Sequence, residues 1–459
     1  MKLFEKSLNN IELAKLNNYP KQNFEILENR EAKCKEPRNE QELKSNPWNF
    51  FKLSYPAKKE IPFIAKCLEI KNNEKYGRHI VTNRNLKVGD VVSIETPYCN
   101  VLLSESKFVE VPPSNIYQRC SNCFKDAALD LIPCPTCCKA MYCSPICLKQ
   151  AFERYHRYEC PVISDLLTSG SVHIVLRLLF IALSTFDGSV DELVKFLKEN
   201  ENGTTTIFDS TANATGRENE KNNFLFAMSM IKCSKTYTLT VHEAILKKNP
   251  ELNEIWRVHH EFIESFLQRL CQIADLNIHG MFGATIQKNS SNVTDIRDLQ
   301  QSIGTGSLLF SSLVNHSCAN NLLRMSVEGK IVYVVCRPVA QGSQLFDCYK
   351  ASFKTQTKTD RQTRLLNDFG FICDCEACVF DYATPPDLVT KDAKLLKYAK
   401  KLDNEILRLP PSQAIKKFRY CCEILEKNQK MYPSIELCLI QKSITTFLLK
   451  QAQSTILFS

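Results

Sequence analysis

Four pairs of cysteine and histidine side chains fall between residues 120 and 160, in CSNCFKDAALDLIPCPTCCKAMYCSPICLKQAFERYHRYEC. The order is Cys120-x2-Cys123, ten residues, Cys134-x2-Cys137, five, Cys143-x3-Cys147, eight, and His156-x3-Cys160. Cysteines two residues apart can turn both sulfurs toward one ion. A three-residue gap matches a helical turn, which would put Cys143 with Cys147, and His156 with Cys160, on one helix face each. Each pair supplies half a tetrahedral site, so the segment carries ligands for two closed sites. About 40 residues hold too little core to fold alone, so metal binding here is expected to supply the folding free energy. Cys138 is an extra thiol, and the two-residue gap favours Cys137 as the ligand. Scattered free thiols are the bland alternative, and the regular pairing argues against it.

Thiols pair as disulfides in secreted proteins and bind metal in reducing compartments, so location matters to that reading. The chain opens MKLFEKSLNNIELAK, charged at once and without an apolar run or a small-residue cleavage site. An intracellular protein is expected, in nucleus and cytoplasm. There, 22 cysteines argue for metal. The most apolar run, Val172 to Phe186, carries His173 and Arg177 and falls short of the roughly 20 clean residues a membrane span needs; a buried helix is expected and no membrane partner. With 44% apolar residues in 459, there is core for two or three domains. A formal charge of +9 is modest at this length and reads as a solvated basic surface rather than a nucleic-acid groove. A monomer is expected.

Further on, FGFICDCEAC offers Cys373-x-Cys375-x2-Cys378, three thiolates where a closed site wants four ligands. Cys336 and Cys348 sit in apolar, strand-like runs, where a small buried thiol is ordinary packing. Cys318 stands instead in the tight motif LVNHSCANN, residues 313 to 321, and is the candidate fourth ligand. Giving it to the metal separates it from Asn315 and His316, which are left for another role.

The order of motifs carries a family resemblance. KYGRHIVTNRNLKVGDVVSIETPY, residues 75 to 98, looks like the first strands of a SET domain, and NHSC, GSQLFDCY and the following FxCxCxxC resemble its second half. Residues 120 to 160 resemble a MYND zinc finger through MYCSPIC and HRYEC. A MYND finger between two SET halves is the organisation of the SMYD family, and the resemblance covers residues 63 to 380. Residues 9 to 36 have helical spacing broken at Tyr19-Pro20 and look like the closing helices of a tetratricopeptide segment, as in the branch of SET and MYND domain-containing protein 4 and its arthropod relatives. A plain amphipathic helix pair is the competing reading.

The implied fold is α+β: a SET-domain β-fold split by an inserted MYND finger and a helical insert, with a post-SET zinc site and a C-terminal, tetratricopeptide-like helical stack. The expected divisions are an N-terminal helical segment (1–60), the first SET part (61–112), the finger (120–160), the helical insert (161–269) with a polar loop at 199–222, the second SET part (270–350), the post-SET region (351–380) and the C-terminal helices (387–459).

The family resemblance implies methyl transfer from S-adenosylmethionine to a lysine of a histone or non-histone protein. Displacement at a sulfonium needs a neutral amine held about 3 Å from the methyl carbon in a dry site. By resemblance, the Gly77-Arg78-His79 turn lies against the donor, with Gly77 allowing close backbone approach. Asn315 holds the donor's amino-acid end, His316 meets the adenine through its backbone, and Asn277 in LNIHGMF is a further contact, although HGM departs from the usual residues. Tyr349 closes the lysine channel and aligns amine and methyl. Phe369 and Phe371 wall it, where aromatic faces favour the cationic groups; Phe371 is equally placed for a core role. The family's pairing puts Cys120, Cys123, Cys143 and Cys147 on one zinc and Cys134, Cys137, His156 and Cys160 on a second. Cys318, Cys373, Cys375 and Cys378 take a third. Two departures bear on activity: Ser343 and Gln344 follow Gly342 where acidic residues are usual, and Phe369 replaces a common tyrosine. The alternative is a weakly active or inactive zinc-binding scaffold, a transcriptional corepressor, whose MYND finger binds proline-containing peptides.

Overall fold

The structure is a computed structural model and describes residues 2–16, 24–35, 46–104, 115–127, 130–201, 217–284, 300–385, 387–406 and 409–452. Its strands are β1 (Leu68–Asn73), β2 (Gly77–Thr82), β3 (Val91–Glu95), β4 (Cys99–Leu102), β5 (Ile132–Pro133), β6 (Met141–Tyr142), β7 (Ile278–Ala284), β8 (Gln300–Ser307), β9 (Asn315–His316), β10 (Leu322–Val327), β11 (Lys330–Val335) and β12 (Phe346–Asp347). They form hairpins β1-β2 and β5-β6, antiparallel sheets β10-β11-β3 and β4-β8-β7, and the parallel pair β12-β9. The chain is thus a mixture of small sheets and helices, the latter concentrated in residues 145–277 and 358–452.

β11 explains how the layers are joined. Its sequence KIVYVV is buried along almost its whole length, as a strand covered on both faces requires. Alternation sends Ile331, Tyr333 and Val335 into the main core with β1 to β4 and the helical insert. Val332 and Val334 enter a second core with Phe418, Ile440, Ile444 and Phe447 of the C-terminal helices. Those helices are Ala393–Glu405, Pro411–Lys427 and Ile435–Ala452; Phe418 stacks on Phe447 at 4.6 Å between centroids.

Several expected boundaries move. Phe51, 1% exposed, joins the C-terminal core, and Ser54 N–H donates to Val91 O, so residues 46–60 pack with the sheets rather than with an N-terminal helical segment. Of that segment, Lys2–Leu16 and Phe24–Lys35 are helices tied by Lys15–Glu31 at 2.6 Å, while Tyr19-Pro20 lies outside the described residues. Helix Pro250–Asn277 runs eight residues past the expected end at 269, because Leu270, Cys271, Ile273, Ala274 and Asn277 continue its buried stripe. The polar loop expected at 199–222 gives way to helix from Arg217 onward, and residues 202–216 lie outside the described ones. Helix Ser171–Thr185 has twelve buried side chains. Among the described residues no single helix is long and apolar enough to cross a membrane.

Phe124 is one of the side chains through which the cysteine-rich segment docks on the sheets. Phe124, fully buried, has φ +62° and reaches two glycines. A Cβ on Gly304 would stand 2.5 Å from its ring, and a Cβ on Gly329 would stand 2.1 Å from the Cys123 carbonyl and 2.9 Å from the Phe124 Cβ. Gly329 also has φ +77°, in the β10-β11 turn, so this position is doubly reserved for glycine.

Candidate functional site

Three groups of four side chains converge, each with its ligand atoms within 4.8 Å of one another: Cys120, Cys123, Cys143 and Cys147; Cys134, Cys137, His156 and Cys160; Cys318, Cys373, Cys375 and Cys378. Ligands about 2.3 Å from a tetrahedral ion lie about 3.8 Å apart. The separations are of that size: Cys123–Cys143 and Cys143–Cys147 3.6 Å, Cys134–Cys160 3.8 Å, Cys137 Sγ–His156 Nε2 3.6 Å, Cys318–Cys378 3.6 Å and Cys318–Cys373 3.9 Å. Each cluster could therefore hold a metal ion. Cys138 is exposed and stands in none of them.

One local expectation is corrected. Cys143 is not on a helix: it follows β6, and the helix starts after it with Ser144 as N-cap and Pro145 at its first turn. Ser144 Oγ accepts from the Cys147 N–H at 3.2 Å, so a cap rather than a helix face brings the two thiols together. His156 and Cys160 do share one continuous helical run, with a π-turn at Phe152–His156.

Beside the third cluster the loop of Asn315 and His316 meets the segment ending in Tyr349. β9 pairs Asn315 with Phe346 and His316 with Asp347. The Tyr349 N–H donates to His316 Nδ1 at 2.9 Å, which places the ring proton on Nε2, 3.3 Å from Cys318 Sγ. Burial pushes the His316 imidazole down to about 4, in keeping with a neutral ring that accepts at Nδ1. The Tyr349 hydroxyl donates to the Val314 carbonyl at 2.7 Å, and burial raises its pKa. Aromatic rings line up along this segment, His316–Tyr349 at 5.3 Å, Tyr349–Phe369 at 5.1 Å, His316–Phe371 at 6.1 Å and Phe369–Phe371 at 6.5 Å.

The remaining expected site residues sit as follows. Gly77 opens β2 with φ +58°, and a Cβ there would meet nothing within 4 Å among the described residues. Asn315 Nδ2 donates to the Tyr76 carbonyl at 3.0 Å, tying the β1-β2 turn to the loop. The Arg78 guanidinium turns away to Ser229, with Nη2 2.6 Å from its carbonyl, and His79 Nδ1 lies 2.8 Å from the Gly77 carbonyl. Asn277 is buried at the end of the long helix with its amide bonded to the carbonyls of Ile231 and Ile273.

Sequence reasoning missed a polar chain behind Tyr349. Arg324 Nη1 donates to His279 Nδ1 at 2.6 Å, its Nε lies 3.7 Å from Asp347 Oδ2, and the Tyr333 hydroxyl donates to the same oxygen at 3.0 Å. Asp347 Oδ1 accepts from the Cys348 N–H at 2.7 Å, one residue before Tyr349. Burial, with Arg324 adding to it, pushes His279 down to about 3. The signal was there: Arg324 and Asp347 interrupt the apolar runs LLRMSV and LFDCY. Arg361, fully buried, was missed too; its Nη2 lies 3.7 Å from Cys378 Sγ, a cation beside four thiols.

The SET domain family model matches residues 77–350, more than half of the chain. Protein-lysine N-methyltransferase SMYD4 of Mus musculus is 25% identical over 370 residues, 66% of this chain and 44% of that protein. The Danio rerio protein of the same name is 23% identical over 461 residues, 83% of this chain and 58% of its own. Histone-lysine N-methyltransferase ASHR1 of Arabidopsis thaliana is 22% identical over 333 residues, covering 70% of this chain and 57% of the relative. The chain spans about half the length of these relatives. It belongs to the SET-domain family.

Proposed function

We propose that the chain is a protein-lysine N-methyltransferase that uses S-adenosylmethionine. The observation that carries this is Tyr349, fixed at its backbone by His316 and at its hydroxyl by Val314, among three further aromatic rings beside the Asn315 loop. These residues fit such a donor. Aromatic faces favour a sulfonium by about 0.5 to 2 kcal/mol, and the side of Gly77 that a Cβ would fill is open. The bound donor supplies an electrophilic methyl group. For their part, Phe369 and Phe371 exclude water, so that a lysine amine stays neutral and unsolvated. Tyr349 orients that amine, and Asn315 holds the donor's polar end once its amide leaves the Tyr76 carbonyl.

The cysteine-rich segment is read as a MYND finger with two zinc ions, and the Cys318 cluster as a third zinc site. Their thiol and imidazole donor sets and separations support zinc. The finger binds proline-containing peptides in this reading. A second reading, a scaffold without turnover, is favoured by the amides of Asn315 and Asn277 both being bonded within the protein and by Ser343-Gln344 after Gly342. Calorimetric titration of the zinc-loaded protein with S-adenosylmethionine separates them. Binding that Asn315→Ala abolishes, with labelled methyl appearing on protein lysines, supports the enzyme; no detectable binding supports the scaffold.

A further inference from the structure

A buried cluster around Glu159 lies apart from the Tyr349 site. Glu159 is fully buried, between His156 and Cys160 on one helical run. Arg177 of helix Ser171–Thr185 grips both its oxygens, Nε to Oε1 at 2.6 Å and Nη2 to Oε2 at 2.8 Å. His173 Nε2 lies 3.0 Å from Oε1. His156 completes the ring of neighbours: its Nδ1 is buried without a hydrogen-bond partner, 3.6 Å from Glu159 Oε2. Its other nitrogen, Nε2, is the one that faces Cys137. A cavity of about 20 Å³ has His156, Glu159, His173 and Arg177 among its lining residues.

Arg177 also reaches beyond Glu159. Its Nη1 donates to the Asn100 carbonyl on β4. The guanidinium lies 4.1 Å over the Tyr155 ring, whose hydroxyl donates to Asn122 Oδ1 at 3.2 Å, between Cys120 and Cys123. One arginine of the helical insert thus touches the surroundings of both clusters and a strand of the SET fold.

We propose that Glu159 is the outer-sphere partner of His156, and that Arg177 and His173 hold it in place, so that the metal at Cys134, Cys137, His156 and Cys160 depends on docking of the cysteine-rich segment. The inference rests on reading that cluster as a metal site. A ligating imidazole gives one nitrogen to the ion and is oriented through the other. A carboxylate accepting from Nδ1–H fixes the tautomer and makes Nε2 a better ligand, and losing such a partner costs about 10- to 100-fold in metal affinity. A carboxylate free to rotate would orient nothing; here two neighbours fix both oxygens.

The test is zinc removal from the full chain by a graded series of chelators, with cobalt replacing zinc for absorption spectra. Wild type is expected to hold one ion per cluster. In Glu159→Gln one ion is released about 10- to 100-fold more readily, two keep their affinity, and only the cobalt band of the three-thiolate, one-imidazole site changes. Exposed Glu153→Gln on the same helical run keeps all three. Three ions held as tightly in Glu159→Gln as in wild type, with an unchanged cobalt spectrum, overturn the inference. A wild-type chain with no ion at this cluster overturns instead the metal reading beneath it. Should Glu159→Gln not fold, Arg177→Lys decides: it keeps the cation but not the two-pronged grip, so selective loss of the same ion supports the inference and full retention overturns it.

Discussion

Tyr349 is held at both ends, and only its hydroxyl distinguishes it from phenylalanine. If it orients the amine, Tyr349→Phe lowers kcat roughly 100-fold while S-adenosylmethionine affinity changes less than about two-fold; rapid-quench turnover with calorimetry measures both. Phe369, at 5.1 Å from the Tyr349 ring, lacks a hydroxyl. Phe369→Tyr is expected to change the ratio of mono-, di- and trimethyl-lysine in a time course followed by mass spectrometry, and an unchanged ratio would count against its place in the channel. Glu95 makes a pH prediction. Burial pushes its carboxyl up to about 7, although the Phe310 N–H and the Ser311 N–H and hydroxyl all donate to it. Between about pH 4.5 and 7 the folded chain therefore keeps a proton that the unfolded chain releases, so stability falls as pH rises through that window and levels off above it. Relative to Glu95→Gln, wild type should lose about 3 kcal/mol from pH 4.5 to 7.5, read from urea unfolding; parallel curves would contradict the assignment.

At the scale of elements, the β10-β11 turn and the Phe124 loop fit only because Gly329 has no side chain. Gly329→Ala combines a left-handed backbone with a clash against the Cys123 main chain and should cost about 2 kcal/mol or more. Amide exchange would show the loss concentrated in residues 120–127 and the turn itself. Neither glycine nor aromatic announces this in sequence, since EGK reads as an ordinary hairpin turn. By contrast, the double burial of β11 is compatible with its sequence, because KIVYVV is apolar after its first residue apart from the Tyr333 hydroxyl. Arg324 and Asp347 are legible as oddities in apolar strands, but nothing local says that β10 and β12 bring them together or that β7 brings His279 to them.

For the molecule as a whole, the Cys318 cluster spans 55 residues of chain between its first two ligands and shares a loop with Asn315 and His316. His316 connects them directly, Nε2 toward Cys318 and Nδ1 receiving the Tyr349 N–H. Metal removal should then loosen the loop and weaken S-adenosylmethionine binding by about 10-fold or more. Calorimetry before and after chelation measures it, and undiminished binding would show that protein packing alone holds the loop.

The sequence by itself determined the pairs of ligands and the family, because ligands separated by two or three residues can reach one ion and because the order of motifs survives any folding detail. It also marked helix Ser171–Thr185 as buried, through the mostly apolar run from Val172 to Phe186. Tertiary structure decided what chain distance hides. It brought Cys318 to Cys373 and Cys378, turned Arg78 to Ser229, bonded the Asn277 amide to main-chain carbonyls, and put Glu159 between His156 and Arg177. Those partners are selected by burial, since a polar group enclosed by packing must bond to whatever donor or acceptor the other elements bring within reach.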